Sequence, residues 1–384
     1  MGKVFTQKRK DISWLRRGID KDVKLMLGIK SAGRCEFNGC NKFLFRHPVT
    51  GLTGNFAELA HIIAFSSSGP RAKTHPRPKE INGISNLMLL CPVCHKLIDT
   101  RIDLYPVEIL RTNKKLHEKR VFRLTGLSGT NVTTVIKVVA RIRGQDVNIS
   151  DSDVDESLYP RFCEKESICN IDLKTHGDLT HGNMQGAAKS ISDNIQRFNG
   201  LSYSGCGVGH VSVFALAPIS LLVYLGSNLS TKVTTDMYQR HRDTESWKWK
   251  TRGKPLQYST YLKQRGKDKS KVALVVSVSG QVSLDSLPKS IGVAYSIYEI
   301  KVGLPRTDIL GTREDLELFR REYEVWQGQM MQKHDGKVKK IELFSAVPAP
   351  IAIMLGWARL PQVSPALRVY EHVNGKFKIG LEVN

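Results

Sequence analysis

The sequence predicts a chain of mixed class: an α+β module stapled by metal in its first third, then an α/β remainder built from two related halves. Three observations predict it. Two cysteine pairs, Cys35/Cys40 and Cys91/Cys94, bracket a stretch rich in polar and basic residues. Thiolates spaced C-x4-C and C-x2-C can fold around one tetrahedral zinc and close the residues between them into a loop. A second observation is a repeat, 130 residues apart: HVSVFALAPISLLVYLG ending at Gly226 and KIELFSAVPAPIAIMLG ending at Gly356. Third, β-branched apolar runs alternate with amphipathic helical patterns through the C-terminal part, as in α/β sheets.

Taken in order, the stapled module places chemistry between its cysteines. His61 lies in Ala60-His61-Ile62, Asn86 in SNLMLLC, and His95 in CPVCH with Asp99 four residues on. Hydrolysing a phosphodiester needs a base of near-neutral pKa and a cation to offset charge on the phosphate. His95 and Asp99 share one face of a helix that opens at Cys94, so they can grip one hard or borderline ion, Mg²⁺ or Mn²⁺.

In this order and setting, about residues 30–120 resemble an HNH nuclease of the ββα-metal class. The resemblance implies that a β-hairpin presents His61 as general base, that Asn86 orients the hairpin or touches metal, and that His95 is a metal ligand on a helix. Cys35, Cys40, Cys91 and Cys94 are then a structural Zn²⁺ site. Many members carry Asp or His directly before the base, where this chain has Ala60. Asp99 is ranked above Glu58 as the missing ligand, because Glu58, three residues before His61, faces the other side of a regular strand. The bland alternative is a zinc knuckle with His61 as a satisfied core histidine.

Charge supports a polyanionic partner. The chain carries a net +22, and residues 1–124 hold 24 Lys+Arg against 10 Asp+Glu. The clusters Lys8-Arg9-Lys10, Arg16-Arg17, Arg71/Lys73/Arg77/Lys79 and Lys114-Lys115 are read as phosphate contacts that carry no sequence information. No apolar run reaches membrane-spanning length, and MGKVFTQKRK lacks a signal-peptide core. Seven cysteines, four of them assigned to metal, fit a reducing cytoplasm. Residues 66–85 read as a long loop, and 106–123 as a helix that closes the module near Gly126.

The predicted boundaries are 1–125 for the nuclease module, 126–159 for a linker containing a strand pair that turns at Gly144, and 160–384 for the duplicated part. The acidic run Asp151, Asp153, Asp155 and Glu156 is read as solvated linker. The repeated units span about 208–242 and 339–373. Each reads as buried strand, Pro at a helix start, short apolar helix stopped by Gly, and a second strand. Between them come strands at 272–279 and 295–302 and a helix over 312–333 whose stripe Leu316, Phe319, Tyr323, Trp326 and Met330 is core. Two Rossmann-like halves follow, and open α/β sheets place ligands beyond the C-terminal strand ends, here at Pro218, Pro348 and Ser279-Gly280.

Residues 160–384 resemble a SAVED domain, two fused CARF (CRISPR-associated Rossmann) subunits that sense cyclic oligonucleotides. With the nuclease module in front, the chain resembles the HNH-SAVED effectors of CBASS, a bacterial anti-phage defence. That resemblance implies a cyclic dinucleotide activator of the cGAMP type, made by a partner nucleotidyltransferase, and cleavage of double-stranded DNA by a homo-oligomer formed on activation. Bases need stacking partners and phosphates need donors, so Tyr238, Trp247 and Trp357 are nominated for stacking and Gln239, Arg240, Lys248 and Arg359 for polar contacts. Two other readings stay open: a zinc-stapled DNA-binding regulator, and a restriction endonuclease dependent on modified bases.

Overall fold

Helix signals and strand signals in the chain resolve into two units, Met1–Leu127 and Ser128–Asn384. The structure is a computed structural model that describes residues 18–384 apart from 143, 165–166, 178–180, 203–208 and 361–362. The basic clusters at 8–10 and 16–17 lie outside the described residues.

In the first unit, α1 (Lys21–Lys30) is capped by Asp20, whose side chain accepts from Asp22 N. The antiparallel pair β1 (Glu58–His61) and β2 (Leu87–Leu90) follows, then α2 (Pro92–Thr100) and α3 (Val107–Thr125). Cys91 caps α2 through its sulfur, and Pro92 supplies the first helical position, where a missing N–H costs nothing. All four residues of β2 are buried, and with Leu27, Ile62, Ile98 and Leu110 they form the core on which the hairpin and α2 rest.

The second unit contains β3 (Thr134–Val139), the short hairpin β4 (Arg141–Ile142) and β5 (Gln145–Asp146), α4 (Asp151–Leu158), β6 (Ile168–Asp172), α5 (His181–Ser202), β7 (His210–Leu216), α6 (Ile219–Asn228) and β8 (Thr234–Tyr238). It continues with β9 (Tyr258–Gln264), β10 (Val272–Ser277), β11 (Ser296–Val302), α7 (Arg313–Lys333), β12 (Lys340–Ala346), α8 (Ala349–Trp357), β13 (Ala366–Val373) and β14 (Lys376–Val383). One parallel sheet runs β6-β3-β7-β8. The other runs β14-β13-β12-β10-β11-β9, with its four inner strands parallel and both edges antiparallel.

The duplication is larger than the sequence revealed. Both sheets use the strand order second-first-third-fourth, counting β3, β6, β7, β8 in one half and β10, β11, β12, β13 in the other. The helices α5 and α6 match α7 and α8 in chain order. Residues 126–159 are therefore no linker. β3 is an interior strand paired on both sides, and the acidic run forms α4, capped by Ser150, with Val154 and Leu158 buried against Trp247 and Phe214. Gly144 does turn a hairpin, at φ 74° between β4 and β5, but β3 pairs with strands further along the chain.

Gly226 and Gly356 do not stop their helices. They lie inside α6 and α8, which run on to Asn228 and Trp357. A Cβ on Gly226 would sit 1.9 Å from the Ile353 carbonyl oxygen, and one on Gly356 would sit 1.9 Å from that of Val223. Both contacts obey the 130-residue offset, so the two helices cross backbone to backbone about a quasi-twofold axis. Phe214 stacks on Tyr238 with centroids 4.3 Å apart, and Phe344 stacks on Tyr370 at the same 4.3 Å. Trp247 meets the first pair edge-on, as Phe377 meets the second.

Candidate metal centre, base and sensor cleft

The knuckle forms because Arg34 and Phe43 bridge in antiparallel fashion and Cys35 N donates to Lys42 O at 2.9 Å, which folds Cys35 and Cys40 towards the start of α2. The four sulfurs of Cys35, Cys40, Cys91 and Cys94 lie within 4.8 Å of one another, with Cys40 and Cys91 4.0 Å apart. Tetrahedral bonds of about 2.3 Å from each sulfur to zinc fit that spacing. Burial pushes the Cys35 thiol up to about 12 and raises Cys94 as well. A dication reverses that preference and makes thiolates of both.

At the end of β1, His61 Nε2 lies 2.9 Å from Asn82 Oδ1. With an amide oxygen as partner, Nε2 carries the proton and Nδ1 keeps its lone pair. Asn82 was not singled out from the sequence; its only signal was its place in the Asn82-Gly83 step ahead of Asn86. Asn86 is buried and spends its amide on backbone: Oδ1 accepts from Ile63 N at 3.0 Å, and Nδ2 donates to Ile63 O and Ile81 O at 2.9 Å each. Of the two roles expected for it, orienting the hairpin is the one this geometry serves.

His95 projects from the second turn of α2 between two carboxylates. Glu58 Oε2 is 2.7 Å from Nδ1, and Asp99 Oδ2 is 3.4 Å from Nε2. Asp99, with help from Glu58, raises the His95 pKa against the opposing pull of burial. The two carboxylates sit at opposite edges of the ring, so an ion bound through one nitrogen reaches only one of them. Asp99 is already engaged: Arg71 Nη2 donates to it at 2.7 Å, and although burial works the other way, His95 and Arg71 together hold its carboxyl below the usual range. Asp99, ranked first as the further ligand, is thus already held by Arg71, while Glu58 meets His95 from the opposite edge of the ring. Glu58 faces away from His61 along β1, as expected, yet this is the side on which it meets His95.

Arg71 itself is a correction. Read as a phosphate contact, it is buried, with Nε on Ile62 O at 2.6 Å and Nη1 on Ile98 O at 2.7 Å, tying the end of β1 to the end of α2. Lys73, Arg77 and Lys79 remain exposed, with the Arg77 guanidinium 5.3 Å from the Phe65 ring centroid.

In the second unit, the strand ends at the two reversals of order are quasi-equivalent. Ala140 N donates to Leu216 O at 3.0 Å between β3 and β7, and Val278 N and Ser279 N donate to Ala346 O at 3.0 and 2.8 Å between β10 and β12. Pro218, Pro348, Ser279 and Gly280 lie at these ends, with the two prolines as N-caps of α6 and α8. Three nominated ligand contacts are interior instead. Trp247 and Tyr238 are 0% and 1% exposed, and Arg359, 6% exposed, donates twice to Pro365 O. Lys248 is paired with Glu156, Arg240 lies 4.0 Å from Glu245, Gln239 Nε2 donates to Arg240 O, and Trp357 Nε1 reaches Ser230 O at 3.4 Å.

Residues 35–102 match the HNH endonuclease family, and residues 195–383 match the SAVED family, the SMODS-associated and fused to various effectors sensor domain. The chain therefore joins a nuclease domain to a ligand-sensing domain. By these two matches it combines an HNH domain with a SAVED domain. Among solved structures it is similar to the Acinetobacter baumannii Cap4 SAVED/CARF-domain containing receptor with the cyclic trinucleotide 3'3'3'-cAAA, at 14% identity and TM-score 0.44 over 76% of this chain and 61% of that one. The same receptor with 2'3'3'-cAAA gives 15% and 0.43 over 76% and 61%. The Moraxella osloensis Cap4 receptor gives 15% and 0.38 over 76% and 60%. This chain thus spans about three fifths of the length of each. No curated protein matches it. Among the described residues no helix is long and apolar enough to cross a membrane.

Proposed function

We propose that this chain is a metal-dependent DNA endonuclease switched on by a cyclic oligonucleotide, acting as an anti-phage (CBASS) effector. The observation that carries the reading is the union, in one chain, of an HNH domain whose histidines are oriented for phosphodiester chemistry and a SAVED sensor domain. His61 Nδ1 takes a proton from water as its oxygen attacks phosphorus, Asn82 holds the imidazole in the tautomer that leaves this nitrogen free, and the opposite P–O bond breaks. His95 with Glu58 would hold Mg²⁺ or Mn²⁺. When bound, the ion offsets charge on the phosphate and the leaving oxygen. Arg71 keeps Asp99 in place beside His95 and fixes the ring.

The activator is a cyclic dinucleotide of the cGAMP type, bound beyond the strand ends at Pro218, Ser279-Gly280 and Pro348, where the quasi-twofold of the sensor meets the quasi-twofold of a dianionic ring. Moving a resting population from about 1% to 99% active takes about 5.5 kcal/mol of differential affinity, a demand eased when several protomers switch together. The ligand therefore drives assembly of a homo-oligomer in which nuclease domains pair to cut both strands of a duplex.

The test is plasmid cleavage with Mg²⁺ and a panel of cyclic di- and trinucleotides, with particle mass followed by light scattering. Cleavage with one activator, its loss in His61→Ala at unchanged activator affinity, and a rise in mass are expected. Near wild-type cutting by His61→Ala sinks the base assignment. Full activity at constant mass sinks the assembly step alone.

A further inference from the structure

Beside the zinc staple, the first unit carries a cleft of about 920 Å³ whose walls are the knuckle, the loop over residues 46–56 and the first turn of α2. Arg34, Lys42 and Arg46 line it and no carboxylate does, while Phe43 and Phe56 stand 46% and 40% exposed in the same walls. Its shape is held by backbone bonds: His47 N to Leu52 O at 2.8 Å, Gly51 N to His47 O at 3.0 Å and Phe56 N to Leu44 O at 2.9 Å. The Arg34 guanidinium lies 5.6 Å from the Phe43 ring centroid, and Arg46 Nε donates to Gly51 O. No carboxylate among the described residues pairs with any of the three cations.

We propose that this cleft is a subsite for unpaired nucleotides of the DNA substrate, an inference that rests on the nuclease reading. Cations without acidic partners answer phosphates, and half-exposed aromatic rings answer bases. A duplex keeps its base faces stacked on one another and shows the rings only backbone, so the phenylalanines gain from a strand that is single or frayed. The volume falls within the range of small-ligand sites, room for a nucleotide and too little for a double helix. Val93 in the cleft wall lies on α2, the helix that also carries His95, so the subsite and that histidine are set on one rigid element. The groove is also a product of the staple, since Cys91 forms part of its wall.

The experiment measures binding of full-length protein, zinc retained and Mg²⁺ omitted, to a labelled oligothymidylate of about 12 nucleotides and to a blunt duplex, across a salt series. Phe43→Ala/Phe56→Ala should weaken oligothymidylate binding by about tenfold to a hundredfold and leave duplex affinity within about twofold. Arg34→Ala/Lys42→Ala/Arg46→Ala should flatten the salt dependence on single strands by about two units of slope. Zinc content and melting temperature are checked for each variant, and both substituted rings are exposed. Wild-type protein that ignores oligothymidylate, a double-phenylalanine variant that binds it normally, or equal losses on both DNAs overturns the proposal. Protein that loses single-strand binding on these substitutions yet cuts no DNA with any activator overturns the nuclease reading and keeps the cleft.

Discussion

The crossing of α6 and α8 makes a prediction whose sign is opposite to that of ordinary helix chemistry. Gly→Ala inside an exposed helix adds about 1 kcal/mol of stability through backbone entropy. At Gly226 the new Cβ would lie 1.9 Å from the Ile353 carbonyl oxygen, and at Gly356 1.9 Å from that of Val223. An acceptable contact is about 3 Å, so the helices must separate by about 1 Å, and the obstacle is backbone that cannot change rotamer. Overpacking on this scale costs about 1–3 kcal/mol and sometimes more. Because the obstacle is backbone, the clash falls at the upper end, about 3 kcal/mol; net of propensity, each substitution should destabilise the sensor unit by about 2 kcal/mol, a fall of roughly 4–8 °C in Tm for a unit of this size. Because one separation relieves both clashes while both substitutions gain propensity, the double variant should cost no more than either single one, a departure from additivity of about 2–3 kcal/mol. Urea denaturation of Gly226→Ala, Gly356→Ala and the double variant, followed by tryptophan fluorescence, reads all three numbers. A single variant more stable than wild type, or costs that simply add, would refute the shared crossing.

Further expectations concern the other sites. Purified protein should carry one zinc per chain, and Cys91→Ala or a strong chelator should unfold the nuclease unit while the sensor unit keeps its own transition; elemental analysis and two-unit thermal melts check this. Arg71→Met should destabilise the nuclease unit by about 3 kcal/mol, since it leaves two buried carbonyls and Asp99 without their donor, and urea titration reads it. Burial raises the Glu371 carboxyl above its ordinary value, against the opposing bond from Ser220 N at 2.6 Å. The native sensor therefore holds that proton at a higher pH than the unfolded chain does, and its stabilising contribution is present below the ordinary glutamate pKa and fades as pH rises through the raised one. Glu371→Gln should show a flatter decline in denaturation midpoint between pH 5 and pH 8 than wild type.

What the sequence revealed followed from local chemistry, and what it hid followed from distance. The four cysteines, His61, Asn86 and His95 each sit in a few characteristic residues, so their type and spacing were enough to place them. The α6 and α8 units were visible because Pro and Gly punctuate them identically. The strand character of β3 was legible but its partners were hidden, because a parallel strand carries no mark of them and its neighbour β7 begins 71 residues after β3 ends. α4 was hidden by its composition: three aspartates, a glutamate and two serines mask the apolar pair Val154 and Leu158 at helical spacing. Tyr238 and Trp247 were nominated by type alone, and only their equivalence to Tyr370 and Phe377 shows that they belong to a repeated interior cluster. Arg71 reads as one more basic residue in a basic loop until its three carbonyl and carboxylate partners are seen.

The order of the two units along the chain bears on how the protein is made. The nuclease unit ends at Leu127, and 257 residues of sensor unit follow it. At about 5–20 residues per second, a complete nuclease unit leaves the ribosome roughly 13–50 s before its sensor is finished. The six-stranded sheet of the sensor needs β13 and β14 from the end of that stretch, so the finished sensor cannot restrain its neighbour in the interval. A resting state that relied on the sensor holding the nuclease shut would expose the cell's own DNA during every round of translation. On the function proposed above, the off state is better placed in the lone nuclease unit itself, with assembly supplying the activity.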